Sequence, residues 1–257
     1  MATEQRTRTA TTPNRRLPRP PPEQSDQASS SEAYRIQAAC YDQRTEQFQH
    51  WRDLLIDQLP AGPGDTVLDI GCGTGLCLPL LHEKVGPTGT IIGIDASEQM
   101  LKVAANRVTQ NGWSNVQLIT APVADAVVDV LADAVVFCAV HDVMQSPTAL
   151  ANVFEHLRPG AVVAAIGGKF PAPWLWSLRN WVTDLHAPFV TDFTGFDQPW
   201  RLLADHVPDL QVRQLATGTG YLALGHTPAR LDQSHPTAGR TPAARPVTFL
   251  PTKGTAA

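Results

Sequence analysis

The sequence predicts an α/β fold: a doubly wound seven-stranded sheet, mostly parallel, with a C-terminal antiparallel hairpin strand and a helical lid. Three observations predict it. Apolar segments of strand length alternate with amphipathic segments of helix length from residue 66 to residue 167, the rhythm of right-handed crossovers in a parallel sheet. The stretch Val67-Leu-Asp-Ile-Gly-Cys-Gly-Thr-Gly75 sets glycines on alternate positions between a strand and a helix, where backbone can approach a ligand closely. Two late strand-like segments, 212–216 and 221–225, are separated only by Thr217-Gly-Thr-Gly220, a spacing that a tight hairpin alone fits.

In chain order, residues 1–33 are rich in Thr, Arg, Pro, Gln and Ser, which cannot bury enough apolar surface to order a segment. Residues 227–257 have the same character, and both are expected to be disordered tails around one domain at 34–226. Residues 31–59 read as two helices: Tyr34, Ala38 and Tyr41 share one face, and Phe48, Trp51, Leu55 and Leu59 share another. Pro60-Ala-Gly-Pro-Gly64 then turns the chain into a strand at 66–70. Helix 75–84, strand 90–95, helix 97–110 with Ser97 as N-cap, and strand 116–119 follow. Strand 134–140 is continuously apolar, as expected when both faces are covered. Ser146-Pro147 opens a helix lasting to Leu157, Arg158-Pro-Gly160 makes a turn, and 161–167 is a fifth strand. Residues 169–210 break the rhythm with Trp174, Trp176, Trp181 and Trp200 and with helices expected at 174–185 and 199–206. With the helices at 31–59, this insert is expected to form the lid.

Composition bounds the function classes. The domain at 34–226 carries 11 Lys and Arg against 19 Asp and Glu, a net of −8, which is a poor match for a nucleic-acid backbone. No apolar run is long enough to span a bilayer, and the N-terminus lacks the apolar core of a secretory signal, so a cytoplasmic location is expected. Cys40, Cys72, Cys77 and Cys138 form no CxxC pair and no metal-ligand spacing; they read as free thiols, and no metal is expected.

The glycine stretch has two candidate cofactors. A dinucleotide fingerprint needs a small residue at its third packing position, where this chain has Leu76 or, counted one glycine later, Leu78. A nicotinamide-dependent dehydrogenase is disfavoured on that ground. The spacing Asp-x-Gly-x-Gly-x-Gly instead resembles motif I of the class I S-adenosylmethionine-dependent methyltransferases. The resemblance continues through Gly93-Ile-Asp-Ala-Ser-Glu-Gln-Met-Leu101, Asn115-Val-Gln-Leu-Ile119, Asp133-Ala-Val-Val-Phe137 and His156-Leu-Arg-Pro-Gly160, in the family's order, over roughly residues 34–226. The order of elements is most similar to the quinone- and phospholipid-methylating members. The resemblance implies a Rossmann-like sheet and S-adenosyl-L-methionine as cofactor. It implies cofactor contacts from Asp69, Gly71, Cys72, Gly73 and Gly75 in motif I, Asp69 helping to hold the methionine amino end. Asp95 is implied to bind the ribose hydroxyls, with Ala96 and Met100 beside it and Cys138 at the end of the fourth strand. Pro122 stands where the family usually has the acid that reads the adenine amine, which leaves adenine to backbone groups near Val123 or to Asp125. Tyr41 either packs in the core or reaches the cofactor carboxylate.

Methyl transfer from a sulfonium needs alignment and water exclusion, and a base only where the acceptor must lose a proton. His141, past the fourth strand, is the candidate base, oriented by Asp142; the alternative is that it packs under the lid and bonds backbone. His186 and Lys169 either line the acceptor site or are solvated. The aromatic insert, and the lack of an NPPY-type motif after Phe137 or of a paired-glutamate loop, favour a small apolar or aromatic acceptor. A non-catalytic S-adenosylmethionine-binding module is the alternative function that Pro122 permits.

Overall fold

Seven strands form one sheet in the order β3-β2-β1-β4-β5-β7-β6 in a computed structural model that describes residues 41–229 and 248–250. The strands are β1 (Thr66–Ile70), β2 (Thr90–Asp95), β3 (Val116–Thr120), β4 (Ala132–Cys138), β5 (Leu157–Gly168), β6 (Gln211–Leu215) and β7 (Gly220–His226). The first five pair in parallel, and β7 runs antiparallel between β5 and β6. This is the expected fold. Tyr34, Ala38, Cys40 and the tail at 1–33 lie outside the described residues.

The central strands are buried on both faces, so each feeds two cores. Leu68, Ile70, Ile92, Ile94, Val135 and Phe137 pack on one side of the sheet. Val67, Ile91, Ala134, Val136 and Ile166 pack on the other. Each Val, Leu or Ile so buried contributes roughly 1.5–3 kcal/mol of transfer free energy, which explains why these segments read as continuous apolar runs.

The helices that position the site are α1 (Tyr41–Thr45), α2 (Gln49–Gln58), α3 (Leu78–Val85), α4 (Glu98–Asn111), α5 (His141–Met144), α6 (Pro147–Glu155), α7 (Ser177–His186) and α8 (Arg201–Ala204). Ser97 caps α4 by accepting the Met100 N–H at 3.4 Å, and Gly112 ends it at φ +67°. Ser146 caps α6 by accepting the Ala149 N–H.

Four expectations are corrected. Arg158-Pro-Gly160 is not a separate turn but lies inside the 12-residue β5; Gly160 at φ +76° and a register shift between Ala132 and Ala134 absorb the bend as a bulge. The N-terminal helices are lid only in part, because Leu55, Ile56 and Leu59 belong to the core beneath the sheet. Trp174, Trp176 and Trp181 are neither core nor pocket: they are 80%, 75% and 54% exposed, while Phe170, Val182 and Phe196 form the lid's own small core. Finally, the stretch 227–257 is not wholly detached. Thr227 accepts the Ala161 N–H and donates to the Arg158 carbonyl, and Gln58 pairs with both backbone groups of Leu250 while Phe249 sits beside Arg213.

Candidate active site

The glycine loop leaves β1 at Ile70 and reaches α3 at Leu78. Gly71 has φ +63°, and a Cβ there would lie 2.4 Å from Val140 Cγ1, so the loop lies against the chain emerging from β4. Gly73 has φ +55° and open space above it. Gly75 differs: a Cβ would meet Leu78 Cδ1 at 2.6 Å and Ala104 Cβ at 3.2 Å. It is the packing glycine that lets the helix start approach α4, and it does not line the cleft. Cys72 turns its thiol onto Gly93 of β2, leaving backbone to face the ligand side.

The cleft beside this loop is lined by Gly71, Gly73, Asp95, Ala96, Met100, Pro122, Val123 and Cys138, eight of the eleven residues expected at the cofactor, and by Asp142, which was expected beside His141. Asp95 ends β2 with its carboxylate locked, Oδ2 accepting the Gly73 N–H at 2.9 Å and Oδ1 the Ser97 N–H at 2.8 Å. Burial raises its pKa, and those two donors oppose the rise. Each oxygen keeps a second lone pair for a ligand hydroxyl. Asp69 and Cys72 line the continuation of the cleft toward Arg52 and Thr74. Asp69 is fully buried, and its Oδ2 has no hydrogen-bond partner among the described residues. Burial, then the charge of Asp95, pushes its pKa up to about 7, against the pull of Arg52. A buried, orphaned carboxylate oxygen marks a place where a donor is to arrive.

Two residues that sequence reading missed complete this end. Arg52 on α2 is buried, donates to the Thr45 carbonyl and to Gln49 Oε1, and meets no carboxylate within ion-pair distance among the described residues. The signal was present: positions 48, 52, 55 and 59 form one stripe at i, i+4, i+7 and i+11, and an arginine in phase with a buried stripe needs a reason. Asp42 on α1 accepts Thr74 Oγ1 at 2.5 Å and Arg107 Nη2 at 2.7 Å, while Arg107 Nε donates to the Thr74 carbonyl at 3.2 Å. This clasp ties α1 to the glycine loop and holds Tyr41 over the cleft.

A second cavity, of about 700 Å³ with its open mouth, adjoins the first. Its walls include Phe48, Trp51, Phe189, Phe196 and Tyr221, with His141 and His186 as polar groups. Cleft and cavity share Tyr41, Cys138, Ala139 and Val140. Ala139 has φ +57°, a left-handed conformation rare for a residue with a side chain. That kink points Val140 under Gly71, His141 into the cavity and Asp142 into the cleft. His141 therefore does not lie beside Asp142 as an oriented pair; its Nε2 is 2.9 Å from the Thr194 carbonyl. A carbonyl only accepts, so Nε2 carries the proton and Nδ1 is the lone-pair nitrogen. Nδ1 is buried without a partner. The structure shows the expected alternative, a histidine bonded to lid backbone. Burial lowers the His141 pKa and takes that of His186 down to about 4, so both rings are neutral at pH 7. Lys169 is neither solvated nor in the cavity; its Nζ donates to the carbonyls of Phe170 and Gly218.

Residues 61–171 match the family described as "Methyltransferase domain". A demethylmenaquinone methyltransferase of Symbiobacterium thermophilum is 34% identical over 44% of this chain and 47% of its own. A 2-phytyl-1,4-naphtoquinone methyltransferase of a Nostoc species is 28% identical over 66% of this chain and 70% of its own. Among solved structures, the N-methyltransferase NodS of Bradyrhizobium japonicum, in complex with S-adenosyl-L-homocysteine, superimposes with a TM-score of 0.54 at 16% identity, covering 77% of this chain and 98% of that one. The chain spans about half the length, or less, of most curated relatives it matches. The residues of this cleft fit S-adenosylmethionine: the orphaned Asp69 oxygen suits its ammonium, the open space at Gly73 admits its chain, and Asp95 suits its ribose.

Proposed function

We propose that the chain is an S-adenosylmethionine-dependent methyltransferase acting on a small aromatic or apolar acceptor. The observation that carries this reading is the shared wall. A carboxylate-bearing glycine-loop cleft and a largely aromatic cavity, with Arg52 as its one charged wall residue, meet at Tyr41, Cys138, Ala139 and Val140, so two ligands would touch end to end there. When bound, the cofactor supplies an electrophilic methyl on a sulfonium. Asp95 holds the ribose, Asp69 the methionine ammonium and Arg52 the carboxylate. Tyr41, clasped through Asp42, closes the cleft against water, which leaves alignment as the main contribution to rate.

The acceptor is expected to be neutral and flat. Burial keeps Tyr41 and Tyr221 protonated and both histidines uncharged, so the walls offer apolar surface and few polar groups. His141 lines this space, and the Thr194 carbonyl, by keeping the proton on Nε2, leaves the buried Nδ1 as the nitrogen that would take a proton from an acceptor hydroxyl reaching it. The named acceptors of the relatives, demethylmenaquinone and phytyl-naphthoquinone, belong to the class this cavity suits. The acidic domain speaks against a nucleic-acid acceptor.

The test is transfer of labelled methyl from S-adenosylmethionine to a panel of reduced naphthoquinones, simple phenols and aryl amines, followed by organic extraction. Label in the aromatic products supports the reading. Cofactor binding without transfer to any of them rejects this acceptor class. His141→Ala should cut transfer to hydroxyl acceptors by about 100-fold while leaving cofactor affinity within about twofold; unaltered transfer removes His141 from the chemistry.

A further inference from the structure

We propose that Asp142 reads the adenine amine of the cofactor and so sets the base specificity of the cleft. This rests on the S-adenosylmethionine reading above. The purine end of the cleft is identified by exclusion. Asp95 marks the ribose and the glycine loop the methionyl side, so the base lies toward Met100, Pro122, Val123 and Val143, which also line the cleft. These four walls are apolar. A purine buried among them leaves its exocyclic amine with no acceptor, a cost that a recognition site avoids by supplying one.

The position where an acid would be expected after β3 holds Pro122, which has none to offer. Asp125 sits on an exposed turn two residues after Val123 and does not line the cleft. Asp95, locked by the Gly73 and Ser97 N–H groups, has its remaining lone pairs assigned to the two ribose hydroxyls. Asp142 is the other carboxylate among the residues lining the cleft, adjacent in sequence to the Val143 wall. No cation pairs with it among the described residues. Burial raises its pKa, with Asp95 close enough to be affected by its charge. A half-buried acid in the cleft wall with no cation beside it is suited to a ligand donor. It follows the left-handed turn at Ala139 by which the chain leaves β4.

The full chain would be titrated by calorimetry with S-adenosylhomocysteine and with its 6-oxo analogue, S-inosylhomocysteine. The wild type should prefer the amine by about tenfold or more, because a carboxylate faces the oxo group without a proton between them. In Asp142→Ala the preference should shrink to within about threefold. Asp142→Asn keeps the side-chain shape should the Ala variant fail to fold; its amide can present either oxygen or NH2, so the preference should shrink there too. Preference retained in either folded variant overturns the assignment, as does a wild type that binds both ligands equally. A wild type that binds neither ligand refutes the cofactor reading instead.

Discussion

Replacing Asp69 with Asn should stabilise the ligand-free protein above pH 7 and destabilise it near pH 4. The folded pKa lies near 7, against 3.8 for an ordinary aspartate carboxyl. Each unit is 1.36 kcal/mol, so holding the carboxylate ionised in the folded domain costs on the order of 4 kcal/mol. The sign follows from proton uptake. Between about pH 4 and 7 the folded state holds a proton that the unfolded state has lost, so the wild type loses stability as pH rises through this window and is level above it. Asparagine does not titrate. Its amide, however, has no partner for the group replacing Oδ2, which costs roughly 1–3 kcal/mol at every pH. The Asn variant should therefore be less stable than wild type by about 1–3 kcal/mol near pH 4 and more stable by a similar amount at pH 8. Urea midpoints of the ligand-free chains across pH 4–8 read this directly. The same substitution should weaken S-adenosylmethionine binding at pH 8 by about tenfold or more, because the ammonium loses its counter-charge. A stability difference that keeps one sign across the pH range would refute the account of Asp69.

Three further outcomes follow. Asp95→Ala should lower S-adenosylhomocysteine affinity by roughly 10- to 100-fold in a calorimetric titration, since both ribose acceptors and two loop anchors are lost together; unchanged affinity would mean the ribose lies elsewhere. Arg52→Gln should weaken the carboxylate-bearing ligand and also move the pH midpoint of its binding upward, because the cation that lowers the Asp69 pKa is gone. Gly71→Ala should cost roughly 2–5 kcal/mol by chemical denaturation, from the left-handed backbone plus the 2.4 Å clash with Val140. Gly112→Ala, at φ +67° with nothing within 4 Å, should cost only about 1 kcal/mol, which isolates the clash.

Local signals carried well from sequence to structure. β1 and β2 begin and end where the apolar runs do, and α4 is bounded by the Ser97 cap and Gly112. Gly75 shows the limit of motif reading: the dinucleotide fingerprint fails at Leu76, yet the packing glycine exists one residue earlier, which only the contact with Ala104 reveals. Partners distant in sequence were not legible. The Thr194 carbonyl lies 53 residues from His141, and Asp42 lies 65 from Arg107. The destination of Asp142 depended on one left-handed residue, Ala139, whose type carries no such signal. The tryptophans misled because aromatic content indicates neither core nor pocket until the face each helix buries is known.

The wall between cleft and cavity is only four residues, Tyr41, Cys138, Ala139 and Val140. A single molecule joining a nucleoside head to a flat aromatic tail would occupy both compartments, its second half docking at the effective concentration set by a short tether. Such a bisubstrate compound should bind about 10²–10⁴ times more tightly than either half alone, with no new contact required. The same proximity makes the two compartments compete for the methyl's position, so a bulky dead-end acceptor should be felt as weaker cofactor binding.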